Sequence, residues 1–291
     1  MMPLDRVRAA VAERRAEDLL SELGITEPSE IDIEAIAALH GALVLEGGLT
    51  GSEARLIRSP SINLIRVRSG IREPGRRRFA IAHELGHLLL QTGGFQFTVC
   101  SEQDLLPFYG KSEAELGANT FAAALLMPRS LFAPQCRNSS PSMELVSTLA
   151  VYYRVTLTAS ATQYILFCPH RCCLVVSTDG KVRYHRATDD FGYFIRPKEA
   201  LDPRTFAADY FSGKELPRGM HSVPASAWLE GGKIDDTKSI LEDSVALPFY
   251  NSVLTLLWIH QDIDQHVTGE DEWDAEQEAA DERWSWNRFR R

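Results

Sequence analysis

The chain has 291 residues, of which 44% are hydrophobic and 24% charged, and its formal net charge is −9. This composition excludes a collagen-like, coiled-coil or wholly disordered protein, and no stretch approaches the ~20 apolar residues that span a bilayer. Residues 1–20 are charged throughout and lack the apolar core of a signal peptide. We therefore expect a cytoplasmic protein that does not associate with a membrane.

The first third of the chain predicts helices around a small sheet. Residues 3–23 have the pattern of an amphipathic helix that ends at Gly24, and a shorter helix is predicted at 32–40. The segments ALVLE, ARLI and INLIRV are apolar runs separated by turn residues, which is typical of short strands. A long helix is then predicted from about residue 75 to residue 91, followed by a loop over residues 94–111.

The remainder of the chain changes in character near residues 165–170. A helix is predicted from Ser112 to Met127, where Pro128 ends it, and residues 143–167 predict two short helices. The segment CCLVVSTDGKVRYHRA has the pattern of a hairpin around an Asp-Gly turn. The late apolar run SVLTLLWIHQD predicts either a strand or a helix.

The residues that indicate chemistry are His83-Glu84-Leu85-Gly86-His87, an H-E-x-x-H motif inside the long helix. Positions four apart lie on one face of a helix, so both imidazoles can reach a single ion. Zn²⁺ binds neutral imidazole nitrogen well, and catalytic zinc sites combine three protein ligands with a water molecule. Glu84 lies between the histidines in sequence and can act as the general base toward that water.

A third ligand is expected on the next helix, which offers Glu113 and Glu115. We favour Glu115, because Asn119 lies one turn later on the same face and could hydrogen-bond a zinc-bound histidine. Two alternatives stay open at the level of sequence. Glu113 could be the ligand, or Glu115 could form a capping box with Ser112 and only stabilise the helix start.

The segments RRRFAIAHELGH and ELGANTFAAALLMP resemble the ImmA/IrrE family of metallopeptidases, and the similarity covers about residues 28–165. The resemblance implies an α+β, gluzincin-like zinc peptidase, with zinc held by His83, His87 and Glu115 and with Glu84 as the general base. It also implies a substrate, namely a helix-turn-helix transcriptional repressor of stress-response, mobile-element or phage-defence genes. Members commonly carry a second acidic residue at the position that is Gly117 here.

We therefore expect a metallopeptidase domain over residues 1–167, which includes a helix-turn-helix-like segment at 143–167. Residues 168–266 are expected to form a smaller α/β, GAF-like sensor domain, and residues 267–291 an acidic disordered tail. The second helix of the helix-turn-helix-like segment has no Lys or Arg between Thr156 and Tyr164. We interpret the segment as peptidase scaffold, with direct DNA binding as the alternative.

Cysteines suggest two further hypotheses. Cys100 lies in the loop between the two ligand-bearing helices and could act as an inhibitory fourth zinc ligand, or it could be an incidental thiol. The run CPHRCC, which holds Cys168, Cys172, Cys173 and His170, could form a second metal site, although only one paired element is present.

Basic residues are concentrated in one segment, because residues 55–78 hold eight arginines and a single acid, Glu73. Arg76, Arg77 and Arg78 begin the motif helix, where the helix dipole disfavours cations, so they must find partners in carboxylates or phosphates. Single-stranded DNA bound through this segment is a candidate activator. The alternative to an enzyme is a non-catalytic DNA- or signal-binding transcriptional regulator that retains a structural metal site.

Overall fold

The computed structural model describes residues 3–58, 61–90, 113–137, 139–195, 199–230, 234 and 236–260. The chain divides into two compact units. The first consists of Met1–Gln135 and Thr148–Gln163, and the second of Cys136–Ser147 and Tyr164–Arg291.

The described residues form a mixed α+β structure. The helices are α1 (Pro3–Glu22), α2 (Ile33–Leu39), α3 (Pro74–Leu90), α4 (Glu113–Leu126), α5 (Arg129–Arg137), α6 (Met143–Tyr153), α7 (Leu157–Phe167) and α8 (Phe206–Phe211). The strands are β1 (Ala42–Gly47), β2 (Ala54–Ile57), β3 (Asn63–Arg68), β4 (Cys172–Thr178), β5 (Lys181–Ala187), β6 (His221–Pro224), β7 (Ser239–Leu247) and β8 (Ser252–Trp258). No described helix is long and apolar enough to cross a membrane.

The first unit contains the predicted small sheet, with strand order β1-β3-β2. Strand β3 runs parallel to β1 and antiparallel to β2. Alternate residues of β2 and β3 point into the core, and Leu56, Ile65 and Val67 are all buried. They join residues of α1, α2, α3 and α4 in one hydrophobic cluster. The prediction of helices around a small sheet is confirmed.

Helices α3 and α4 pack unusually close together at Gly86. A Cβ atom at this position would lie 3.1 Å from the Cα of Ala118 and 3.1 Å from Cδ1 of Phe121. Such distances are shorter than an ordinary carbon–carbon contact, so the two backbones approach closely only because residue 86 lacks a side chain. This close approach fixes how far the residues of α4 lie from those of the motif helix.

The second unit contains an antiparallel five-stranded sheet with strand order β5-β4-β8-β7-β6. The predicted hairpin is confirmed, with β4 and β5 joined at Asp179 and Gly180, both of which have positive φ values (53° and 73°). The late apolar run is strand β8, the central strand. Its residues Ser252 to Leu257 are buried on both faces, so the sequence shows no alternation that would distinguish a strand from a helix.

Helices α6 and α7 confirm the two short helices expected at 143–167. They meet at Arg154, which has a φ of 54°. The guanidinium of Arg154 donates to the backbone carbonyls of Pro28, Ser29 and Ile31 over 3.0–3.1 Å. Arg154, at the turn between these helices, therefore binds the backbone of the segment that precedes α2.

Helix α5 was not expected from the sequence, because Pro134 lies inside it. A proline removes one helical hydrogen bond, but tertiary packing offsets this loss. Phe132 is fully buried, and its ring lies 5.0 Å from that of Tyr153.

Candidate metal centre

The two histidines of the motif lie on the buried face of α3. His83 and His87 are both inaccessible to solvent, and their Nε2 atoms are 3.0 Å apart. The i, i+4 spacing on one helix produces this convergence, as the sequence predicts. Two imidazole nitrogens aimed at each other in a dry interior need a shared proton or a shared cation between them.

Glu115 completes the cluster from α4. Its carboxylate bridges the histidines, with Oε2 3.2 Å from His83 Nε2 and Oε1 3.3 Å from His87 Nε2. The three ligand atoms lie within 4.8 Å of one another, and no other group of three such side chains among the described residues meets that limit. The structure therefore brings together the three residues that the sequence favours as ligands.

The spacing of these atoms suits a tetrahedral ion. Ligands about 2.0–2.1 Å from a tetrahedral zinc are separated from one another by about 3.3 Å. The observed separations of 3.0, 3.2 and 3.3 Å agree with this geometry. The donor set of two imidazoles and one carboxylate is also one that Zn²⁺ prefers, so the residues present fit a catalytic zinc site.

Asn119 lies one helical turn after Glu115 and orients His83. Its Oδ1 is 2.8 Å from His83 Nδ1, inside the protein. An amide oxygen can only accept, so His83 must carry its proton on Nδ1 and present the lone pair of Nε2 to the centre. Asn119 therefore has the supporting position that the sequence assigns to it.

The pKa values of His83 and Glu115 result from two opposed effects, burial and the pairing of these side chains with each other. Burial lowers the pKa of His83, but the hydrogen bond with Glu115 and the charges of Glu84 and Glu115 outweigh it, so the net pKa is raised. For Glu115, burial raises the pKa, but the hydrogen bonds to His83 and His87 lower it by more than burial raises it. The resulting pKa is about 2. The carboxylate is therefore ionised at neutral pH, as a metal ligand must be.

Glu84 is buried and fixed by a strand. Its Oε2 accepts a hydrogen bond of 2.9 Å from the backbone N–H of Leu56 in β2. Its negative charge helps to raise the pKa of His83, the residue directly before it in α3. Sequence reasoning did not identify Leu56, because a backbone donor leaves no trace in the choice of side chain.

Arg58 forms a second interaction that sequence reasoning missed. Its guanidinium donates to the backbone carbonyl of His87 over 2.6 Å, near the C-terminal end of α3. A cation is favoured there by the helix dipole. The strand that fixes Glu84 is thus followed directly by a residue that fixes the backbone of the second histidine.

Comparison with known families explains this arrangement. Residues 38–162 match the model of the IrrE N-terminal-like domain, of peptidase family M78. The match includes all three cluster residues and Glu84. Residues 38–162 form an IrrE N-terminal-like domain of the ImmA/IrrE family.

One solved structure extends the likeness beyond this domain. A Mycobacterium tuberculosis transcriptional regulator is similar over 90% of this chain and 92% of its own, with 17% sequence identity and a TM-score of 0.52. At this identity the likeness shows a shared fold. No curated protein matches the sequence.

The arginines at the start of α3 in the IrrE N-terminal-like domain have intramolecular partners. Arg76 pairs with the buried Glu53, and Arg77 pairs with Glu34 and Glu46. Arg78 donates to the carbonyl of Ile31 over 3.0 Å, and burial together with neighbouring Arg154 lowers its pKa to about 10. The sequence left the partners of these cations open, and for Arg76 and Arg77 they are carboxylates of the first unit itself.

Three expectations fall on residues that the structure leaves undescribed. Cys100 and Ser112 belong to residues 91–112, which lie outside the described residues. Residues 267–291, the expected acidic tail, also lie outside them. The inhibitory role of Cys100 therefore stays a hypothesis, and the capping box of Ser112 with Glu115 stays an untested alternative.

Proposed function

We propose that the protein is a zinc endopeptidase that cleaves a helix-turn-helix transcriptional repressor and so switches on stress-response or phage-defence genes. The observation that carries the proposal is the convergence of His83, His87 and Glu115 beside a fixed, buried Glu84. The arrangement supports a gluzincin-like site, in which the ligand set is two histidines and a glutamate from a following helix. The membership of residues 38–162 in a peptidase family supports the same conclusion.

In the proposed reaction the residues have separate tasks. His83, His87 and Glu115 would hold Zn²⁺, which when bound acidifies water and polarises a carbonyl group. Glu84 accepts the proton of the attacking water and delivers it to the amine that leaves when the peptide C–N bond breaks. Leu56 holds Oε2 of Glu84 through its backbone N–H, which fixes the orientation of the carboxylate that exchanges the proton.

Substrate and activator are also proposals. By family resemblance the substrate is a small repressor encoded near this protein, and single-stranded DNA is the candidate activator, with the basic segment 55–78 as its binding surface. Residues 168–266, most of the second unit, would act as a GAF-like sensor domain, and we expect the protein to work in the cytoplasm. The antiparallel five-stranded sheet of that unit supports an independent module but does not identify a ligand.

A second candidate function is a non-catalytic transcriptional regulator that retains a structural metal site. It is favoured by the similar solved structure, which is that of a transcriptional regulator. Against it stands Glu84, a buried carboxylate next to the cluster that a purely structural metal site does not need. Closed structural zinc sites use four protein ligands, whereas the described cluster offers three.

One experiment separates the two functions. The full chain is co-expressed with the helix-turn-helix protein encoded nearest to it, and the fragments are identified by mass spectrometry. We expect Glu84→Gln to reduce cleavage by about 10²–10⁴-fold, while zinc content, measured by inductively coupled plasma mass spectrometry, stays at the wild-type level. Glu215 is an exposed glutamate of the second unit, and Glu215→Gln is the matched control. Cleavage that survives Glu84→Gln would contradict the proposed mechanism.

A further inference from the structure

The small sheet of the first unit has one face that the hydrophobic core does not use. Successive residues of a strand point to opposite faces of a sheet, and the inner residues Leu56, Ile65 and Val67 belong to the core cluster. The residues that alternate with them form the outer face, and none of these belongs to that cluster. Leu43 and Leu45, on the outer face of β1, are 46% and 47% exposed. The outer face therefore leaves large apolar side chains in contact with solvent.

Strand register arranges the outer face as two rows of side chains that cross all three strands. Residues in register on neighbouring strands lie side by side on the same face. The first row is apolar and consists of Leu43, Leu64 and Ile57. The second row has one leucine and two arginines, namely Leu45, Arg66 and Arg55. The outer face therefore combines an apolar row with a basic one.

The two arginines of the second row lack the carboxylate partners that other arginines of this unit have. Arg55 and Arg66 lie directly opposite each other, and neither forms an ion pair or a side-chain hydrogen bond within the described part of the chain. Arg68, two residues further along β3, pairs with Glu53. The Arg66 side chain extends over Gly47 of β1, where an added Cβ would lie 2.6 Å from its Nε. Because like charges directly opposite each other destabilise a sheet, this pair of cations favours an anionic ligand.

We propose that the outer face binds an acidic amphipathic helix of a partner protein. Neighbouring strands are about 4.8 Å apart, so three strands present a surface about 10 Å wide, the diameter of one α-helix. Helix residues three or four apart lie about 5–6 Å from each other, and directly opposite strand residues about 4.5–5.5 Å. Two carboxylates at such helix positions therefore meet Arg55 and Arg66 together, while the apolar stripe of the helix covers Leu43 and Leu45.

Two other occupants are less well matched or are separated by experiment. Single-stranded DNA would engage the arginines through its phosphates, but its bases stack on aromatic side chains, and none of the six side chains in the two rows is aromatic. The chain's own residues 262–282, which hold ten acids and no Lys or Arg, are the second rival. The proposal does not rest on peptidase activity, because its readout is binding to a face of the sheet that points away from the core helices.

Binding of a synthetic helix to the full-length, zinc-loaded protein tests the proposal by fluorescence anisotropy. The labelled leucine–glutamate peptide has leucines along one side of the helix and glutamates four residues apart along their border. Two matched peptides replace either its glutamates by lysine or its leucines by alanine. We expect only the leucine–glutamate peptide to bind, with an affinity that falls as salt screens the ion pairs.

Variants of the outer face assign the two kinds of contact. Arg55→Gln and Arg66→Gln should each weaken binding of the leucine–glutamate peptide by about two- to fivefold, the value of an exposed ion pair. Leu43→Ser and Leu45→Ser should each weaken it by about three- to tenfold, because the exposed half of each side chain becomes buried in the complex. Arg55→Glu combined with Arg66→Glu should transfer the preference to the lysine peptide.

Matched controls carry the same chemical changes at other exposed positions. Arg183, on β5 of the second unit, is exposed, and Arg183→Gln should bind the leucine–glutamate peptide as the wild type does. Val151, on α6, is 76% exposed, and Val151→Ser should also leave binding unchanged. Arg55→Gln and Arg66→Gln remove no described partner, so these two variants decide the matter even if the leucine variants do not fold.

Several results would overturn the proposal. One is failure of the leucine–glutamate peptide to bind the wild type, and another is equal binding by the wild type and the double glutamate variant. Binding that occurs only after the acids of residues 262–282 are replaced by their amides would assign the outer face to the chain's own segment. Binding of oligo-dT that depends on Arg55 and Arg66, without binding of the leucine–glutamate peptide, would assign it to nucleic acid.

Discussion

The backbone N–H of Leu56 donates a 2.9 Å hydrogen bond to Oε2 of Glu84, in the buried interior of the IrrE N-terminal-like domain. A strand of the small sheet therefore fixes the general base that the motif helix supplies. Glu84→Gln and Glu84→Ala both remove the general base, so activity measurements alone would not distinguish them. They differ in the hydrogen bond, since Gln retains an acceptor oxygen for Leu56 and Ala does not.

Glu84→Ala should therefore be less stable than Glu84→Gln. Alanine leaves the buried N–H of Leu56 without an acceptor, which costs about 1–3 kcal/mol. Thermal unfolding of the two zinc-loaded variants, followed by circular dichroism, measures the difference. Equal melting temperatures would show that the Leu56–Glu84 hydrogen bond does not stabilise the fold.

Glu115→Ala should lower zinc occupancy and abolish cleavage. The carboxylate contacts both histidines and is the acidic member of the described cluster, so its loss leaves two neutral imidazoles as ligands. Glu113→Ala removes a carboxylate two positions earlier on the same helix and is the control, with zinc content and cleavage close to wild type. Loss of zinc in the Glu113 variant alone would reassign the third ligand.

Asn119→Ala should weaken zinc binding without removing a ligand. The Asn119 oxygen fixes the proton of His83 on Nδ1, and loss of such a supporting hydrogen bond typically costs about 10–100-fold in metal affinity. Competition with a chromogenic chelator measures the affinity. Thr120→Ala, one residue away on α4, should retain wild-type affinity, and equal losses in both variants would indicate a general disturbance of the helix.

Gly86→Val should destabilise the domain and weaken zinc binding together. A side chain at this position meets the backbone of Ala118, so α4 must move away from α3 and carry Glu115 with it, at a cost of about 1–3 kcal/mol. Gly117→Ala is the matched control, because a Cβ there would lie 3.7 Å from Leu90, an ordinary van der Waals distance. That substitution should be neutral or stabilising, by up to about 1 kcal/mol.

If single-stranded DNA binds through the basic segment 55–78, its affinity should fall steeply as salt is added, because ion pairing with phosphates releases counterions. Arg66 and Arg72 are exposed and are the variants of choice. Substitution of Arg76 also removes a partner of the buried Glu53 and would disturb the fold. Each arginine–phosphate ion pair that an alanine substitution removes should reduce the slope of log affinity against log salt by about 0.7. Fluorescence anisotropy of a labelled oligonucleotide measures the slope, and salt-insensitive binding would refute this role.

The sequence alone was sufficient where the decisive interactions are local. His83, Glu84 and His87 share one helix, so the 3.6-residue period brings the two imidazoles together in the structure as predicted. The hairpin at Asp179 and Gly180 depends on a two-residue turn whose backbone angles those residue types favour.

Tertiary structure decided the rest, because those interactions join residues that are far apart in sequence. The convergence of Glu115 with the two histidines depends on how α4 crosses α3 at Gly86, and no local pattern encodes that crossing. The donor at Leu56 is a backbone N–H, which every residue except proline has. The identity of residue 56 therefore gives no sign of the hydrogen bond to Glu84. The identity of β8 as a strand came from its central place in the sheet, where burial on both faces removes the alternation that marks a strand in sequence.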